Sequence, residues 1–230
     1  MKCQLRLYLV ITLLIFSQGA IGITLQPGYL LISEVMANPS AVSDSNGEWF
    51  ELFNASSHMI NLNGLIISDD NSNFHEISSS EPLLIAPGEY FVLGRNNDFT
   101  TNGGFTADYI YTGISLSNTV DQIIISSADS EITRIDYSGL PFGSSGISAE
   151  LISQVISPNS SHYQLTENFT YGAGDFGTPG SQGSFPLDYV NPVPLPGAVW
   201  LFISTPLLMK RFLTFQPRDL SSQNCLSHWR

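Results

Sequence analysis

Cysteine and basic side chains are scarce in this sequence of 230 residues. The two cysteines are Cys3 and Cys225, so a scaffold built from several disulfide bonds is excluded. Between residues 23 and 191 the only basic residues are Arg95 and Arg134, against nineteen acidic ones. Because nucleic-acid binding depends on Lys and Arg, which neutralise phosphates, we expect no nucleic-acid partner.

Apolar runs long enough to span a membrane are also missing. Shorter apolar runs lie near the two ends of the chain. Residues 1–22 begin with basic side chains, continue with the apolar run Leu7–Phe16, and end on small residues at Ala20 and Gly22. This is the pattern of a secretory signal peptide, and the run is shorter than the roughly 20 residues that a membrane-spanning helix needs. We therefore predict export, with residues 23–184 as the folded domain.

The rest of the sequence lacks helical periodicity and alternates short apolar runs with turn-forming residues. This pattern is typical of an all-β domain, and the number of runs fits a sandwich of two sheets. Turns are predicted where Gly follows Asn or Pro, as at Asn63–Gly64 and Pro87–Gly88. The predicted strands are residues 29–35, 48–53, 60–62, 65–68, 83–85, 90–94, 109–111, 122–126, 131–137 and 162–166.

Two of these strands carry more detailed predictions. In residues 48–53, the alternation of side chains places Phe50 inside the domain and Glu51 outside it, in contact with water. Residues 123–125 are instead three consecutive isoleucines, which indicates a strand that is covered on both faces.

Five sequence blocks resemble, in the same order, the lamin-tail domain family. They are Leu31–Pro39 (LISEVMANP), Gly47–Asn54 (GEWFELFN), Ile60–Leu65 (INLNGL), Leu84–Leu93 (LIAPGEYFVL) and Gly177–Gly180 (GTPG). The resemblance covers about residues 29–184 and implies an immunoglobulin-like β-sandwich. It also implies a domain that binds rather than catalyses and that, in bacteria, is usually secreted.

The C-terminal region resembles a second family, the PEP-CTERM sorting signals of the VPLPA type, which an exosortase processes in Gram-negative bacteria. The matching parts are the motif Val193, Pro194, Leu195, Pro196, Gly197 and Ala198, the apolar stretch 199–209, and the basic pair Lys210 and Arg211. This resemblance implies a sorting signal with a short transmembrane segment at 193–211. The Gly-, Ser- and Pro-rich composition before it indicates a linker at 185–192.

The sorting signal would anchor the protein transiently in the inner membrane, with the basic pair inside, before transfer to the cell surface or extracellular matrix. Two features depart from the family pattern. Gly197 stands where Ala is usual, and residues 212–230 form an atypical extension past the basic pair. The alternative interpretation is an apolar C-terminal strand that packs on the domain.

Catalytic motifs are missing or incomplete. Gly172–Gly177 spells the glycine pattern of dinucleotide-binding folds, but Thr178–Gly180 (TPG) stands where a helix would have to begin. His75 and Glu76 begin a zinc-protease motif whose second histidine position holds Ser79. We therefore predict that the protein is not an enzyme and that it has no cofactor other than calcium.

Calcium is the one ligand that residue types in this sequence indicate. Asp44, Asn46 and Glu48 on one turn, and Asp69 and Asp70 on another, place hard oxygens close together, as a weak calcium site requires. Neither turn has the spacing of an EF-hand loop. The alternative is a pair of solvated turns in which Asp and Asn cap the backbone.

Three functions are compatible with these patterns. The first is a secreted, surface-tethered, non-catalytic module that binds an extracellular polysaccharide or a surface protein. Its candidate contact residues are Trp49, Tyr109, Tyr111 and Tyr163, for which core packing is the alternative. The second is a structural matrix protein that self-associates by pairing of a bare edge strand. The third is a hydrolase with a dispersed active site, which a cluster of carboxylates in a concave pocket would favour.

Overall fold

The computed structural model describes residues 24–69, 73–128, 130–156 and 158–189. The chain divides into two units, Met1–Asn191 and Pro192–Arg230, and the described residues all belong to the first. The strands are β1 (Leu30–Met36), β2 (Trp49–Asn54), β3 (Ile60–Asn61), β4 (Ile66–Ser68), β5 (Phe74–Glu76), β6 (Leu84–Ile85), β7 (Tyr90–Gly94), β8 (Tyr109–Ile110), β9 (Val120–Ser126), β10 (Glu131–Ser138), β11 (Ala149–Leu151), β12 (Tyr163–Leu165), β13 (Thr170–Tyr171) and β14 (Asp175–Phe176). A short helix, α1 (Asp44–Gly47), and a 3-10 turn (Ser160–His162) complete the elements.

Two sheets pack face to face as a sandwich. The larger sheet has the order β12-β11-β1-β2-β7-β8 and the smaller one the order β10-β9-β4-β5. Strands β13 and β14 form a separate pair, as do β3 and β6. The space between the larger and the smaller sheet is filled by apolar side chains, among them Phe50, Leu52, Ile67, Ile125 and Ile135. The domain is therefore an all-β, immunoglobulin-like sandwich, as the sequence predicted.

The ten predicted strands are all present, with ends that differ by at most two residues. Gly64 and Gly88 have φ angles of 84° and 77°, which confirms the predicted turns. The three isoleucines 123–125 are all buried, so β9 is covered on both faces over these residues, as expected. Strands β5, β11, β13 and β14, each of two or three residues, had not been predicted.

The predicted exposure of Glu51 to water is wrong, although its predicted direction away from the core is right. Its side chain is buried, like every residue of β2. The alternation itself is real, because Phe50 enters the core between the sheets while Glu51 points to the opposite, outer face of the larger sheet. That outer face is covered by residues 177–188, which we term the strap; Gly180 N–H in the strap donates a hydrogen bond to Glu51 Oε2 (2.7 Å). A sheet face turned away from the core need not meet solvent.

Candidate functional site

A groove of about 340 Å³ lies where three segments of the chain meet. The first segment is the loop 95–108 between β7 and β8, the second is β13 with the residue before it, and the third is the beginning of the strap. We term this concavity the loop groove. Its volume falls within the range of about 300 to 1,000 Å³ that is usual for small-ligand sites.

Two phenylalanines on the loop groove are exposed, Phe99 with 59% of its surface and Phe169 with 44%. Phe99 lies in a turn that Asp98 organises, because the Asp98 carboxylate accepts a hydrogen bond from Thr100 N–H (3.0 Å). Phe169 follows Asn168, whose φ of 72° lies in the left-handed region. Local backbone structure therefore holds both rings outside the core, although each ring is a large apolar group.

The floor beneath the groove is a packed aromatic cluster. Trp49 Nε1 donates to the Tyr171 hydroxyl oxygen (3.0 Å), and the Trp49 ring centroid lies 6.0 Å from that of Phe105. Trp49 and Phe105 are buried in one apolar cluster with Met36 and Val92. Interlocked rings form a rigid floor, which reduces the ordering entropy that opposes ligand binding.

Hydrogen bonds and a close backbone approach join the loops around the groove. Ala173 N–H donates to the Gly103 carbonyl oxygen (2.9 Å), and the Asn102 side-chain oxygen accepts from Gly104 N–H (2.9 Å). A Cβ atom on Gly172 would lie only 2.6 Å from Gly104 Cα, so this approach requires glycine. The loop groove is therefore preformed rather than assembled around a ligand.

The lining of the loop groove supplies hydroxyl groups and no charges. Thr106, Thr170 and Ser181 contribute hydroxyls, and none of the described residues that line the groove is Asp, Glu, Lys, Arg or His. Hydroxyls between exposed rings suit an uncharged, hydroxyl-rich ligand, because its C–H faces pack on the rings while its hydroxyls exchange hydrogen bonds.

Three glutamates lie side by side beneath the strap, on the outer face of the larger sheet. The strand register pairs Glu34 of β1 with Glu150 of β11 on one side and with Glu51 of β2 on the other. Their exposed fractions are 1%, 4% and 1%, respectively. We term this row the carboxylate ladder. The cavity that it borders has a volume of about 10 Å³, room for about one water molecule.

Glu34 is the centre of the carboxylate ladder and accepts hydrogen bonds on both oxygens. The Thr178 N–H donates to Oε1 (3.0 Å), and the Thr178 hydroxyl donates to Oε2 (2.6 Å). The hydroxyls of Ser148 and Thr166 also donate to Oε1. Because Thr178 lines the loop groove as well, Glu34 fixes one wall of that groove.

The two outer glutamates hold the rest of the strap. In addition to the bond between Gly180 and Glu51, Phe185 N–H donates to Glu150 Oε1 (3.0 Å). Glu150 Oε2 is buried without a hydrogen-bond partner. Leu187, within the predicted linker 185–192, packs against the main core. Contacts of the domain thus continue past residue 184.

Burial raises the pKa of all three ladder glutamates. For Glu51 the negative charge of Glu34 adds to this effect, whereas for Glu34 the hydrogen bonds from Ser148 and Thr178 oppose it. Burial, followed by repulsion from Glu51, raises the pKa of the neighbouring Tyr90 to about 12. The folded protein therefore binds protons at the ladder more tightly than the unfolded chain does.

The aromatic contact residues proposed from the sequence do not lie on the loop groove's exposed rim. Trp49, Tyr111 and Tyr163 are buried core residues. Tyr109 is half-buried, and its hydroxyl oxygen lies 2.9 Å from His75 Nε2. All four lie in strands or directly beside them, where alternation directs side chains into packed faces.

Sequence analysis missed the two exposed rings. Phe99 stands in the segment Asn96–Gly104 (NNDFTTNGG) and Phe169 in Glu167–Gly172 (ENFTYG), both rich in turn-forming residues. The signal that could have found Phe99 is an aromatic residue that is isolated among Asn, Asp, Thr and Gly, because such a residue has no strand run to carry it into a core.

The first group of predicted calcium ligands is occupied with protein partners. Asp44 and Asn46 lie in α1 and Glu48 follows it. Glu48 Oε2 accepts from Arg95 Nη1 (2.9 Å), and Asp44 Oδ2 accepts from Asn118 Nδ2 (3.0 Å).

The second group has one described member. Asp69 follows β4 and accepts a hydrogen bond from Asn73 Nδ2 (3.2 Å), while Asp70 lies outside the described residues. Within the described ranges, no three His, Cys, Asp or Glu side chains are grouped so that they could hold a metal ion. Calcium binding stays a prediction.

The glycine-rich segment Gly172–Gly177 contains the β13–β14 hairpin turn, in which Tyr171 pairs with Asp175. The Asp175 carboxylate accepts hydrogen bonds from Ser40 N–H and Ala41 N–H, so the segment anchors the loop after β1. This is a structural role for a motif that formally matched a nucleotide-binding pattern.

The predicted targeting segments lie outside the described residues. These are the signal peptide 1–22, the sorting signal 193–211 with Val193, Pro194, Leu195, Pro196, Gly197, Lys210 and Arg211, and the extension 212–230. In the part of the chain that the structure describes, no helix has the length and apolar character needed to cross a membrane. Export and sorting stay predictions.

Comparison with known proteins gives the family. No curated protein matches the chain. The model of the Lamin Tail Domain family matches residues 24–139, about half of the chain. Strands β11 and β12 follow the matched region, yet they extend the same sheet beyond β1. The chain belongs to the lamin tail domain family, and the lamin tail domain itself is a non-enzymatic, immunoglobulin-like domain.

Proposed function

We propose that this protein is an exported, non-catalytic module that binds a neutral polysaccharide outside the cell through the loop groove. The observation that supports this most directly is the exposure of Phe99 and Phe169 on a groove lined by hydroxyls and no charged side chain. Large apolar rings at the surface cost solvation free energy, and a ligand that stacks on them recovers it.

The charge of the domain supports a neutral ligand over an anionic one. Residues 23–191 contain nineteen acidic and two basic residues, so a polyanion would be repelled on approach. The loop groove has no Lys, Arg or His among its described lining residues to counter that repulsion. A neutral polysaccharide avoids this penalty and presents the same sugar face repeatedly along its length.

The hydrolase alternative receives less support from the carboxylates. The carboxylate ladder is a cluster of the kind that a hydrolase would need, but its cavity holds about one water molecule and lies under the strap. A sugar ring cannot enter a space of that size. We therefore treat the ladder as part of the strap's attachment rather than as a catalytic centre.

The self-association alternative is also less favoured. Strand β10 is a long edge strand. The Ser160 hydroxyl donates a hydrogen bond to the carbonyl oxygen of Asp136 on this strand (3.3 Å) and so occupies part of the edge. Arg134 on this strand forms ion pairs with Glu131 and Asp136. Charged residues along an edge oppose pairing with a second copy.

Cellular placement in this proposal follows from the two ends of the chain. The signal peptide would direct export, and the exosortase-type signal with Lys210 and Arg211 would hold the precursor at the inner membrane before release to the surface. Deleting residues 193–230 should let the folded domain escape into the medium, as followed by immunoblotting of cell fractions in a host that has exosortase. A tail retained on a periplasmic protein would contradict this part of the proposal.

Ligand binding is tested with the purified full-length chain on an array of neutral and acidic polysaccharides, followed by titration calorimetry. Replacing both groove rings, Phe99→Ala with Phe169→Ala, should weaken binding by about tenfold or more, since a stacking ring contributes roughly 1 kcal/mol. Phe74→Ala is the matched control, because Phe74 is 66% exposed on β5 and does not line the groove.

A neutral ligand also predicts that the affinity changes little between low and high salt, because no charge pair is screened. Equal loss in the double variant and in Phe74→Ala would contradict the groove as the site. Binding of acidic polymers alone would contradict the ligand class.

A further inference from the structure

The carboxylate ladder contains more negative charge than its surroundings neutralise. Glu150, Glu34 and Glu51 are direct neighbours on three adjacent strands, and like charges in that position destabilise a sheet. No Lys, Arg or His lines the ladder's cavity in the described part of the chain. The two arginines of the described domain, Arg95 and Arg134, pair with other carboxylates.

The remaining titratable groups that face the ladder do not supply a positive charge. Tyr90 on β7 lines its cavity, Tyr171 on β13 senses the charge of Glu34, and Asp108 before β8 adds negative charge near Glu51. Residues 177–187 of the strap carry no ionisable side chain. Protons are therefore the charges available to reduce repulsion within the ladder.

One carboxylate oxygen of the ladder accepts no hydrogen bond, so it can carry such a proton without breaking one. Both oxygens of Glu34 and both of Glu51 already accept hydrogen bonds, whereas Glu150 accepts one on Oε1 from Phe185 N–H and none on Oε2. The N–H and hydroxyl of Ser184 in the strap lie near this carboxylate and lower its pKa, against the larger effect of burial. Glu150 also lies closest to the strap backbone at Gly183, where an added Cβ would meet its carboxylate. Ionisation of Glu150 thus acts directly on the segment that covers it.

We propose that the carboxylate ladder is a proton-operated latch, which holds the strap against the sheet while it retains a proton and releases residues 178–185 when it loses that proton. Release would move Thr178 and Ser181, which form one wall of the loop groove, and so weaken polysaccharide binding. The effect on binding rests on the function proposed above, whereas the latch itself does not.

The sign of the pH dependence follows from the ladder's preference for protons. The strap acts on the ladder in two opposite ways. The N–H groups of Thr178, Gly180 and Phe185 donate hydrogen bonds that favour the ionised carboxylates, whereas the cover that the strap provides removes water and favours the protonated ones; burial is the larger effect on all three pKa values. The docked form is therefore favoured most at acidic pH, and this advantage is lost as the pH rises through the folded-state pKa. The strap should therefore be docked in mildly acidic medium and opened in alkaline medium.

The test measures amide hydrogen exchange of Thr178, Gly180 and Phe185 by NMR in the full-length chain, between about pH 5.5 and pH 8.5. Protection, corrected for the intrinsic pH dependence of exchange, should fall by about tenfold or more at the alkaline end for these amides. Amides in the core strands, such as that of Leu52, should keep their protection and serve as the internal reference.

Glu150→Gln should keep the strap protected across the whole pH range, because Gln is a neutral stand-in for the protonated acid. Glu81→Gln, which changes an exposed carboxylate that does not line the ladder's cavity, should behave like the unaltered protein. If Glu150→Gln does not fold, the carboxyl carbon-13 shift of Glu150 is followed by NMR in the unaltered protein, and it should titrate over the same pH range in which the strap loses its protection. Protection that is independent of pH, or that falls equally in Glu150→Gln, overturns the latch.

The two proposals fail in different ways. Exchange reports the latch without any ligand, so a pH-dependent strap with no polysaccharide binding would overturn the proposed function alone. Polysaccharide binding through Phe99 and Phe169 with pH-independent protection of the strap would overturn the latch alone.

Discussion

Different interactions stabilise the two faces of the larger sheet. The inner face presents Ile32, Phe50 and Leu52 to the smaller sheet and is stabilised by burial of apolar area, which has no direction. The outer face combines the Trp49 cluster with three buried carboxylates, and the strap over it is held by directed hydrogen bonds.

This difference predicts different tolerance to substitution. The inner face should accept any apolar side chain of similar volume and reject polar ones, whereas the ladder needs acceptors at fixed positions and rejects donors. The outer face also carries the function proposed above, because the strap and the Trp49 cluster form a wall and the floor of the loop groove.

The largest expected effect comes from placing a charge on the inner face. Phe50→Asp should lower the free energy of unfolding by about 3 to 5 kcal/mol or abolish folding, since it removes a buried ring and buries an unpaired carboxylate. Urea unfolding followed by circular dichroism measures it. Phe74→Asp is the matched control and should stay within about 0.5 kcal/mol of the unaltered protein, because that ring is mostly exposed.

A smaller loss should follow from a change of hydrogen bonding at the centre of the ladder. Glu34→Gln replaces one acceptor oxygen by a donor that faces the N–H and hydroxyl of Thr178 or the hydroxyls of Ser148 and Thr166. We expect a loss of about 1 to 3 kcal/mol in urea unfolding at neutral pH. Glu81→Gln should change nothing measurable; a similar result for Glu34→Gln would mean that the strap's bonds to Glu34 do not contribute to stability.

The end of the strap gives a third and weaker effect. A fragment of residues 24–184 lacks the Phe185 N–H bond to Glu150, the Asp188 N–H bond to Gln154 (3.2 Å) and the packing of Leu187. Against a fragment of residues 24–189 it should be less stable by roughly 1 kcal/mol, mainly through Leu187. Identical thermal midpoints would support the domain boundary at 184 that the sequence predicted.

Sequence patterns predicted the inner face well because its determinants are local. The period of two around Phe50, the turn glycines at Gly64 and Gly88, and the run of isoleucines in β9 each act within a few residues. Short strands such as β11 lack such a period, although β11 lies between β1 and β12 in the larger sheet.

The outer face could not be predicted in the same way because its partners are distant in sequence. Gly180, which covers Glu51 and donates a hydrogen bond to it, lies 129 residues further along the chain. No pattern in the sequence near Glu51 predicts this contact. A partial signal was present in β1, where Ser33 and Glu34 interrupt the apolar run of a fully buried strand. A lone carboxylate in such a run indicates buried hydrogen bonding, because an unpaired one would be too costly.

The two rings of the loop groove, Phe99 and Phe169, should have the smallest effect on stability and the largest effect on ligand binding. Phe99→Ala should change the free energy of unfolding by no more than about 0.5 kcal/mol, because most of that ring is exposed and its turn is formed by Asp98. Phe169→Ala should change it by less than about 1 kcal/mol, because that ring is 44% exposed and its turn is formed by Asn168. Urea unfolding of each variant, beside its polysaccharide affinity, separates the two quantities. A loss of stability comparable to that of Glu34→Gln would place the ring in the structural outer face and remove it from the binding surface. Unchanged stability with weakened binding would instead show that the domain keeps these rings at its surface for a ligand, since they contribute nothing to its own folding.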